Sequence, residues 1–295
     1  MTSLIGLHRK KVTQNNKLKA ARQATTSSMM QAEEAGFISY SRSFVLKMQD
    51  EGRYDAANKL NMYLRKFITF LGKNDIPFKD FDSLLIRNYN TWLENQKLGR
   101  NSISLYIRNL KRVYQLAVAD GVTNENHPFE GVDVSYRVKK EKNKLTPKEV
   151  IQLRYMDVSN LHPSVVFARD LFLFAIFTNG MTGSDLFYLT KDDIKGNYLT
   201  YTSKATGKEE TVMWNTYLQE IVDKYYRSDT PYLFPVITSK DPKEQWRQHD
   251  AAIHNINRNL KKVGQIIGLS FPLTLTIAHH TWKSMTKGLN VVDLL

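Results

Sequence analysis

The chain has 295 residues, of which 42% are hydrophobic and 11% aromatic, and it carries a formal net charge of +13. This composition supports one or two packed cores and excludes a disordered protein. No apolar stretch approaches the ~18 residues of a membrane span, and residues 1–19 do not have the pattern of a secretory signal. The absence of cysteine excludes disulfides and thiolate zinc sites, and it is compatible with a cytoplasmic location. The seven histidines show no metal-ligand spacing, so we expect neither a metal nor a cofactor.

The excess positive charge is concentrated in two segments. Residues 1–36 hold six basic and two acidic residues, and residues 137–144 hold five and one, which together give eight of the thirteen excess charges. Basic segments at a chain end and between two domains are where a protein encircling a duplex would touch phosphates. A solvated surface is the alternative, and a membrane-surface helix is weaker because residues 1–36 lack a matching apolar face. We therefore predict a basic N-terminal arm (1–36), a basic linker (137–144) and double-stranded DNA as partner.

Apolar side chains recur at three- and four-residue steps from Phe37 onward, and breaks at Gly52, around Gly72 and at Gly99 divide them into four helices. We expect Asn101 and Ser102 to cap the fourth helix, which ends near residue 121. The pattern predicts a compact helical bundle over about 37–120, within a DNA-binding domain at 37–136. On the fourth helix a cationic strip lies above an aromatic underside, which suits docking to a groove or to phosphates and competes with a plain solvated face.

A second domain is predicted at 145–295. Thr146 as N-cap, Pro147 at the first helical position and Glu149 closing a capping box mark its start. A short helix and a long apolar helix at 165–177 follow, then a helical turn at 185–189. Residues 198–202 and 210–214 flank a Thr-Gly pair and predict a β-hairpin. Further helices are expected at about 215–227, 247–267 and 276–287, with another starting at 291–295.

In this order the parts resemble the tyrosine recombinases, and most closely the integrases of bacterial conjugative and mobile elements, over roughly residues 37–295. Residues 102–112 are similar to the family's DNA-contacting helix, 180–186 to the turn with the first catalytic arginine, 199–208 to the hairpin with the catalytic lysine, and 278–282 to the stretch with the second arginine. The resemblance implies a mainly α fold, in which a helical SAM-like core-binding domain precedes a mixed α/β catalytic-type domain with a small antiparallel hairpin. It also implies site-specific DNA recombination or integration.

On this basis we predict DNA contacts from the fourth helix and the linker. The residues are Arg100, Ser102, Ser104, Tyr106, Arg108, Lys111, Arg112, Arg137, Lys139, Lys140, Lys142 and Lys144. Together they predict a C-shaped clamp, in which each domain docks on one side of the duplex and the linker crosses the phosphates.

The family's chemistry sets requirements that this sequence does not meet. Family members cut DNA by tyrosine attack, while two arginines clamp the phosphate and a hairpin lysine protonates the leaving oxygen. Here Thr182 or Asn179 takes the place of the first arginine, and His279 that of the second. Ala205 takes the lysine's usual place beside Thr-Gly. The degenerate catalytic positions are Thr182, Lys204, Lys208, His279 and His280.

The last tyrosine of the chain is Tyr232, and the family's nucleophile is expected beyond Leu295. Three hypotheses follow. The first is a recombinase-like protein that binds DNA without cutting it and that can assemble on DNA as a homo-oligomer. The second is an active recombinase whose tyrosine is supplied by a missing tail or by a neighbouring protomer. The third is a helical adaptor protein without a nucleic-acid role.

Overall fold

The structure is a computed structural model that describes residues 36–132 and 141–286. The chain divides into two compact units, residues 1–139 and residues 140–295. The predicted basic arm, the linker residues Arg137, Lys139 and Lys140, and the helix start predicted at 291–295 lie outside the described residues.

The described part of the first unit is helical. Its helices are α1 (Phe37–Asp50), α2 (Tyr54–Leu71), α3 (Ser83–Asn95) and α4 (Arg100–Ala119), with a short 3₁₀ turn at Phe78–Asp80. The predicted cap of α4 is wrong. Gly99 is the N-cap, without a side-chain hydrogen bond, and its carbonyl accepts from the backbone N–H groups of Ser102 and Ile103. Asn101 and Ser102 therefore lie inside the first turn, because the extended backbone of Gly99 begins the helix earlier.

An aromatic core holds the first unit together. The ring of Phe37 packs edge-on against Phe67 at 5.9 Å, and Phe81 stacks on Tyr114 at 5.6 Å. Asp75, outside any helix, accepts hydrogen bonds from two backbone N–H groups in the first turn of α1, including that of Ile38 at 2.8 Å. A carboxylate at a helix N-terminus accepts from free N–H groups and interacts favourably with the positive end of the helix dipole. These interactions attach the segment at Asp75 to α1.

The second unit surrounds a small sheet with helices. The helices are α5 (Pro147–Tyr155), α6 (Pro163–Phe177), α7 (Gly183–Leu186), α8 (Thr216–Tyr225), α9 (Pro242–Ile266) and α10 (Leu275–Met285), and a 3₁₀ turn spans Lys191–Asp193. The strands are β1 (Ile194–Lys195), β2 (Tyr198–Thr202) and β3 (Glu209–Met213), paired antiparallel in the order β1-β2-β3. Register pairs Tyr198 with Met213 and Thr202 with Glu209, as expected for the predicted hairpin. The capping box at Thr146 and Glu149 is present.

Helix α6 is the centre of the second unit. Every residue from 168 to 177 is buried, and α9 and α10 pack against this helix. A helix that is mostly apolar and carries a buried ion pair at Arg169 and Asp170 requires neighbours all round, which explains this central position. The predicted fold class, mainly helical with a small antiparallel sheet, is confirmed. Within the described ranges, no helix is long and apolar enough to cross a membrane.

Candidate functional site

The turn between α6 and α7 lies directly against α10. Asn179 and Gly180 both adopt the left-handed backbone region, with φ of 58° and 69°, and reverse the chain after α6. A Cβ at position 180 would lie 3.0 Å from the Cα of His279, so the close packing requires glycine. The ring Nδ1 of His279 is 3.0 Å from the carbonyl oxygen of Gly180. The turn that resembles the first arginine's position therefore meets the helix that resembles the second's.

Asp185 connects this turn to the β-hairpin. Its side chain is buried, and it accepts a hydrogen bond from the Thr182 hydroxyl at 2.9 Å. It also accepts from the backbone N–H of Lys204 at 2.8 Å and from the Ser203 hydroxyl at 3.5 Å. Because a buried carboxylate needs such donors, these bonds fix the position of the hairpin relative to the turn.

Lys204 begins the hairpin turn and is exposed as a whole, yet its ammonium group lies over an aromatic ring. The Nζ atom is 2.8 Å from the ring centroid of Tyr188. Burial lowers the pKa of Lys204 to about 8, against the opposing attraction of the Asp185 carboxylate. A lysine near pH 7 in this environment is still mostly charged, so it can attract a phosphate oxygen.

His279 cannot replace an arginine at its position. The contact with the Gly180 carbonyl requires a proton on Nδ1, because both partners cannot be acceptors. The neutral ring then presents Nε2 as an acceptor, which repels a phosphate oxygen. Only the imidazolium form can donate from Nε2, and it offers one N–H there instead of the two-pronged guanidinium fork.

His280 is placed beside His279, with ring centroids 5.8 Å apart. Burial lowers the pKa of His280, and electrostatic interactions with Lys142, His279 and Lys283 lower it further. A histidine in these surroundings is neutral at neutral pH. Lys208 is exposed on the other side of the hairpin turn, where its backbone N–H donates to the Thr206 hydroxyl at 3.3 Å.

Three of the five predicted positions are therefore brought together around one turn. Thr182 and Lys204 share the carboxylate of Asp185, and His279 bonds to the turn from α10. Threonine, asparagine and histidine stand where the resemblance calls for arginine. The arrangement can hold a phosphate near one lysine, but it lacks the paired guanidinium groups that stabilise a doubly charged transition state.

The predicted DNA contacts of α4 fall on different sides of the helix. Arg100, Ser102 and Arg112 are exposed. Arg108 and Lys111 are half-buried, and the guanidinium Nε of Arg108 donates to a backbone carbonyl of its own helix at 3.2 Å. All five can still present polar atoms at the surface.

Ser104 and Tyr106 serve the interior of the first unit. Ser104 is 2% exposed, so its hydroxyl has no surface to offer a duplex. Tyr106 is half-buried and packs edge-on against Tyr63 of α2, with ring centroids 5.0 Å apart. In the linker, Lys142 and Lys144 are exposed.

A basic face on α9 was missed by sequence reasoning. Its members recur at three- or four-residue steps or their sum, which places them on one side of the helix. The residues are Lys243, Arg247, His254, Arg258 and Lys261, and all are exposed. The adjoining side of α9 faces the turn, because the His249 ring contacts the Gly183 carbonyl at 3.2 Å. The spacing is present in the sequence, and only Lys243 lies before the predicted helix start at 247.

No group of metal-ligating side chains occurs within residues 36–132 and 141–286.

Comparisons with known proteins agree with this fold. Residues 36–136 match the phage integrase SAM-like domain. A tyrosine recombinase from Pseudothermotoga lettingae is 24% identical over 237 residues, which cover 77% of each chain. The fold is similar to a lambda integrase tetramer bound to a Holliday junction, with a TM-score of 0.62, 15% identity, and coverage of 96% of this chain and 85% of that one. It is also similar to the Tn1549 transposon integrase in complex with a circular intermediate DNA, with a TM-score of 0.54, 14% identity, and coverage of 86% and 89%.

Proposed function

We propose that the chain is a member of the tyrosine recombinase family that binds double-stranded DNA in site-specific recombination and does not cut the strands itself, a proposal supported by the match of residues 36–136 to the phage integrase SAM-like domain and by the tyrosine recombinase relative. The basic face of α9 carries this proposal. Five exposed basic or titratable side chains line one side of a 25-residue helix whose adjoining side meets the turn at Gly183. Cationic side chains along a helix neutralise phosphates and release counterions, which drives DNA binding.

Helix α4 supports the same function from the first unit. Arg100 and Arg112 are exposed, and Arg108 and Lys111 are half-buried beside them. Exposed Lys142 and Lys144 in the linker add positive charge. Lambda integrase and the Tn1549 integrase, which share this fold, were each determined with DNA. We also propose that several copies assemble on DNA, since the lambda integrase match is a tetramer.

The absence of cleavage follows from the phosphate-binding positions. Loss of one preorganised oxyanion donor costs about 3 kcal/mol of transition-state stabilisation. Here two arginine positions hold Thr182 or Asn179 and His279, and the His279 ring already uses Nδ1 in its contact with the Gly180 carbonyl. The combined loss leaves no effective charge stabilisation for phosphodiester cleavage.

Two alternatives remain distinct. An active recombinase with a tyrosine from a tail or a neighbouring protomer requires His279 to act as an arginine. An adaptor without a nucleic-acid role requires the basic side chains of the α9 face to contact solvent and no DNA phosphate.

The binding half of the proposal is tested by a matched pair of double variants. Arg258→Gln with Lys261→Gln removes two charges from the α9 face. Arg227→Gln with Lys195→Gln removes the same charge from exposed positions elsewhere in the unit. We expect the α9 variant to reduce the slope of log K against log salt by about 2, at about 0.9 per phosphate contact. Equal effects of the two variants would contradict an interface at α9.

The cleavage half is tested with nicked suicide duplexes of random sequence, which trap a covalent protein–DNA adduct. We expect bound DNA and no adduct that survives denaturing electrophoresis. A stable adduct would show that this chain, or its assembly, supplies a nucleophile, and would favour the active recombinase.

A further inference from the structure

The backbone N–H and the side-chain ammonium group of Lys204 both contact one short segment of the chain, residues 185–188. The backbone N–H of Lys204 donates to the buried Asp185 carboxylate at 2.8 Å. Its ammonium lies 2.8 Å from the ring centroid of Tyr188, three residues after Asp185. The backbone N–H of Tyr188 itself donates to the Asp185 carbonyl at 3.0 Å. The same turn therefore fixes the position of the Lys204 backbone and the position of its ammonium group.

The Tyr188 ring also packs against a side chain of α9. It is half-buried and packs at a tilt against the His249 ring of α9, with centroids 5.7 Å apart. The His249 ring in turn contacts the carbonyl oxygen of Gly183 at 3.2 Å. Packing against a helix side chain restricts the orientation of the ring, and the electron-rich face of the ring attracts the ammonium group.

The contact between Lys204 and Tyr188 is relevant to the lysine that the hairpin lacks at position 205. Ala205 occupies the place beside Thr-Gly where the sequence resemblance calls for a lysine, and Lys204 is its neighbour. A free lysine has many rotamers, so placing its charge at one point costs conformational entropy. A ring that holds the charge in advance removes part of that cost.

We propose that Tyr188 is a positioning residue that holds the Lys204 ammonium for a DNA backbone phosphate. This inference rests on the proposed DNA binding and names the contact by which the degenerate site takes part in it. Tyr188 does not touch the phosphate in this account. It acts through Lys204, whose charge replaces that of a lysine at position 205.

Because the pKa of Lys204 is lowered to about 8 by burial, the inference has a pH signature. A phosphate binds the ammonium form, so affinity is highest below pH 8 and falls as pH rises through that value. The other titratable groups in these surroundings are Asp185, Tyr188, Tyr201 of β2, Tyr232 and His249. Burial raises the pKa of Tyr188 and of Tyr201. A series that starts above the ordinary histidine range of about 6.5 isolates the lysine.

The experiment is a double-mutant cycle in the full chain, with a fluorescein-labelled duplex of random sequence as the probe. The variants are Tyr188→Leu, Tyr188→Phe, Lys204→Gln and the combination of Tyr188→Leu with Lys204→Gln, and Lys195→Gln at the far end of the sheet is the charge control. Thermal melting of each variant checks that it is folded. Affinity is measured from about pH 7.5 to about pH 9.5, a range that brackets the lowered pKa.

We expect Tyr188→Leu to weaken binding about threefold near pH 7.5, a coupling of the size seen for neighbouring residues. It should also move the pH step upward, because the amine regains water. Tyr188→Phe keeps the ring face and should behave as the wild type. Lys204→Gln should remove the step, and adding Tyr188→Leu to it should change nothing further.

If Tyr188→Leu weakens binding equally with and without Lys204, Tyr188 acts by another route and the inference is overturned. The same holds if Tyr188→Phe fails to restore wild-type behaviour or if Lys204→Gln keeps the pH step. If the wild type binds no duplex, the proposed function fails and this inference falls with it. Binding without coupling overturns the inference alone.

Discussion

Replacing Asp185 by alanine should lower the free energy of unfolding of the second unit more than a surface substitution does. The Asp185 side chain is 4% exposed and accepts two short hydrogen bonds, at 2.9 Å from Thr182 and 2.8 Å from the Lys204 backbone. A bond to a charged acceptor contributes about 1.5–3 kcal/mol, and part of this is offset because a buried carboxylate no longer needs to be desolvated. The net loss is therefore about 3 kcal/mol.

Urea unfolding and thermal melting measure this loss directly. For a unit of this size, 3 kcal/mol lowers Tm by about 6–12 °C. Asp192→Ala, at an exposed position of the following 3₁₀ turn, is the matched control and should stay within about 0.5 kcal/mol of the wild type. An Asp185→Ala loss below about 1 kcal/mol, or equal to that of the control, would refute the view that Asp185 joins turn and hairpin.

Three further predictions test the same region. Gly180→Ala should cost about 2 kcal/mol more than Gly207→Ala in calorimetry, because both glycines have positive φ but only a Cβ at 180 meets the backbone of His279; equal losses would contradict the close approach. Thr281→Val should cost about 1–3 kcal/mol in urea unfolding, since its buried hydroxyl accepts the Leu145 N–H at 2.9 Å; a neutral result would mean that water or another group replaces the bond. His279→Arg should steepen the salt dependence of duplex binding by about 0.9, measured by fluorescence anisotropy, because it restores one phosphate contact; an unchanged slope would place position 279 away from DNA.

The helices of both units could be predicted from apolar spacing because their buried faces are strongly periodic. The capping box at Thr146 was also predictable, since three residue types at fixed offsets specify one geometry. The start of α4 was not. Gly99 has no side chain to signal a cap, and its role depends on an extended backbone that the sequence does not encode locally.

The site was predicted in its parts but not in its connections. The turn, the hairpin and the His-Thr-Trp helix were each located from local residues. That Asp185 would bond the Lys204 backbone, and that Tyr188 would lie under the Lys204 ammonium, depends on packing between segments. The burial of Ser104 was missed because its position on the α4 face was read as part of a polar strip.

The basic face of α9 was missed for a different reason. Asp241 accepts from the Glu244 N–H at 2.8 Å, and Pro242 takes the first helical position, so the helix starts five residues earlier than predicted. These are ordinary start signals, and with them Lys243 would have joined Arg247, His254, Arg258 and Lys261, whose spacing already lay within the predicted helix.

The most direct test of DNA binding is the affinity of the wild type for duplex DNA across a salt series. The exposed cations of α4 and α9 predict at least five phosphate contacts and therefore a slope of log K against log salt steeper than about −4. A steep slope that flattens in the combined Arg108→Ala, Lys111→Ala and Arg112→Ala variant would support the account. A slope shallower than about −1, or no binding at low salt, would contradict it and favour an adaptor without a nucleic-acid role.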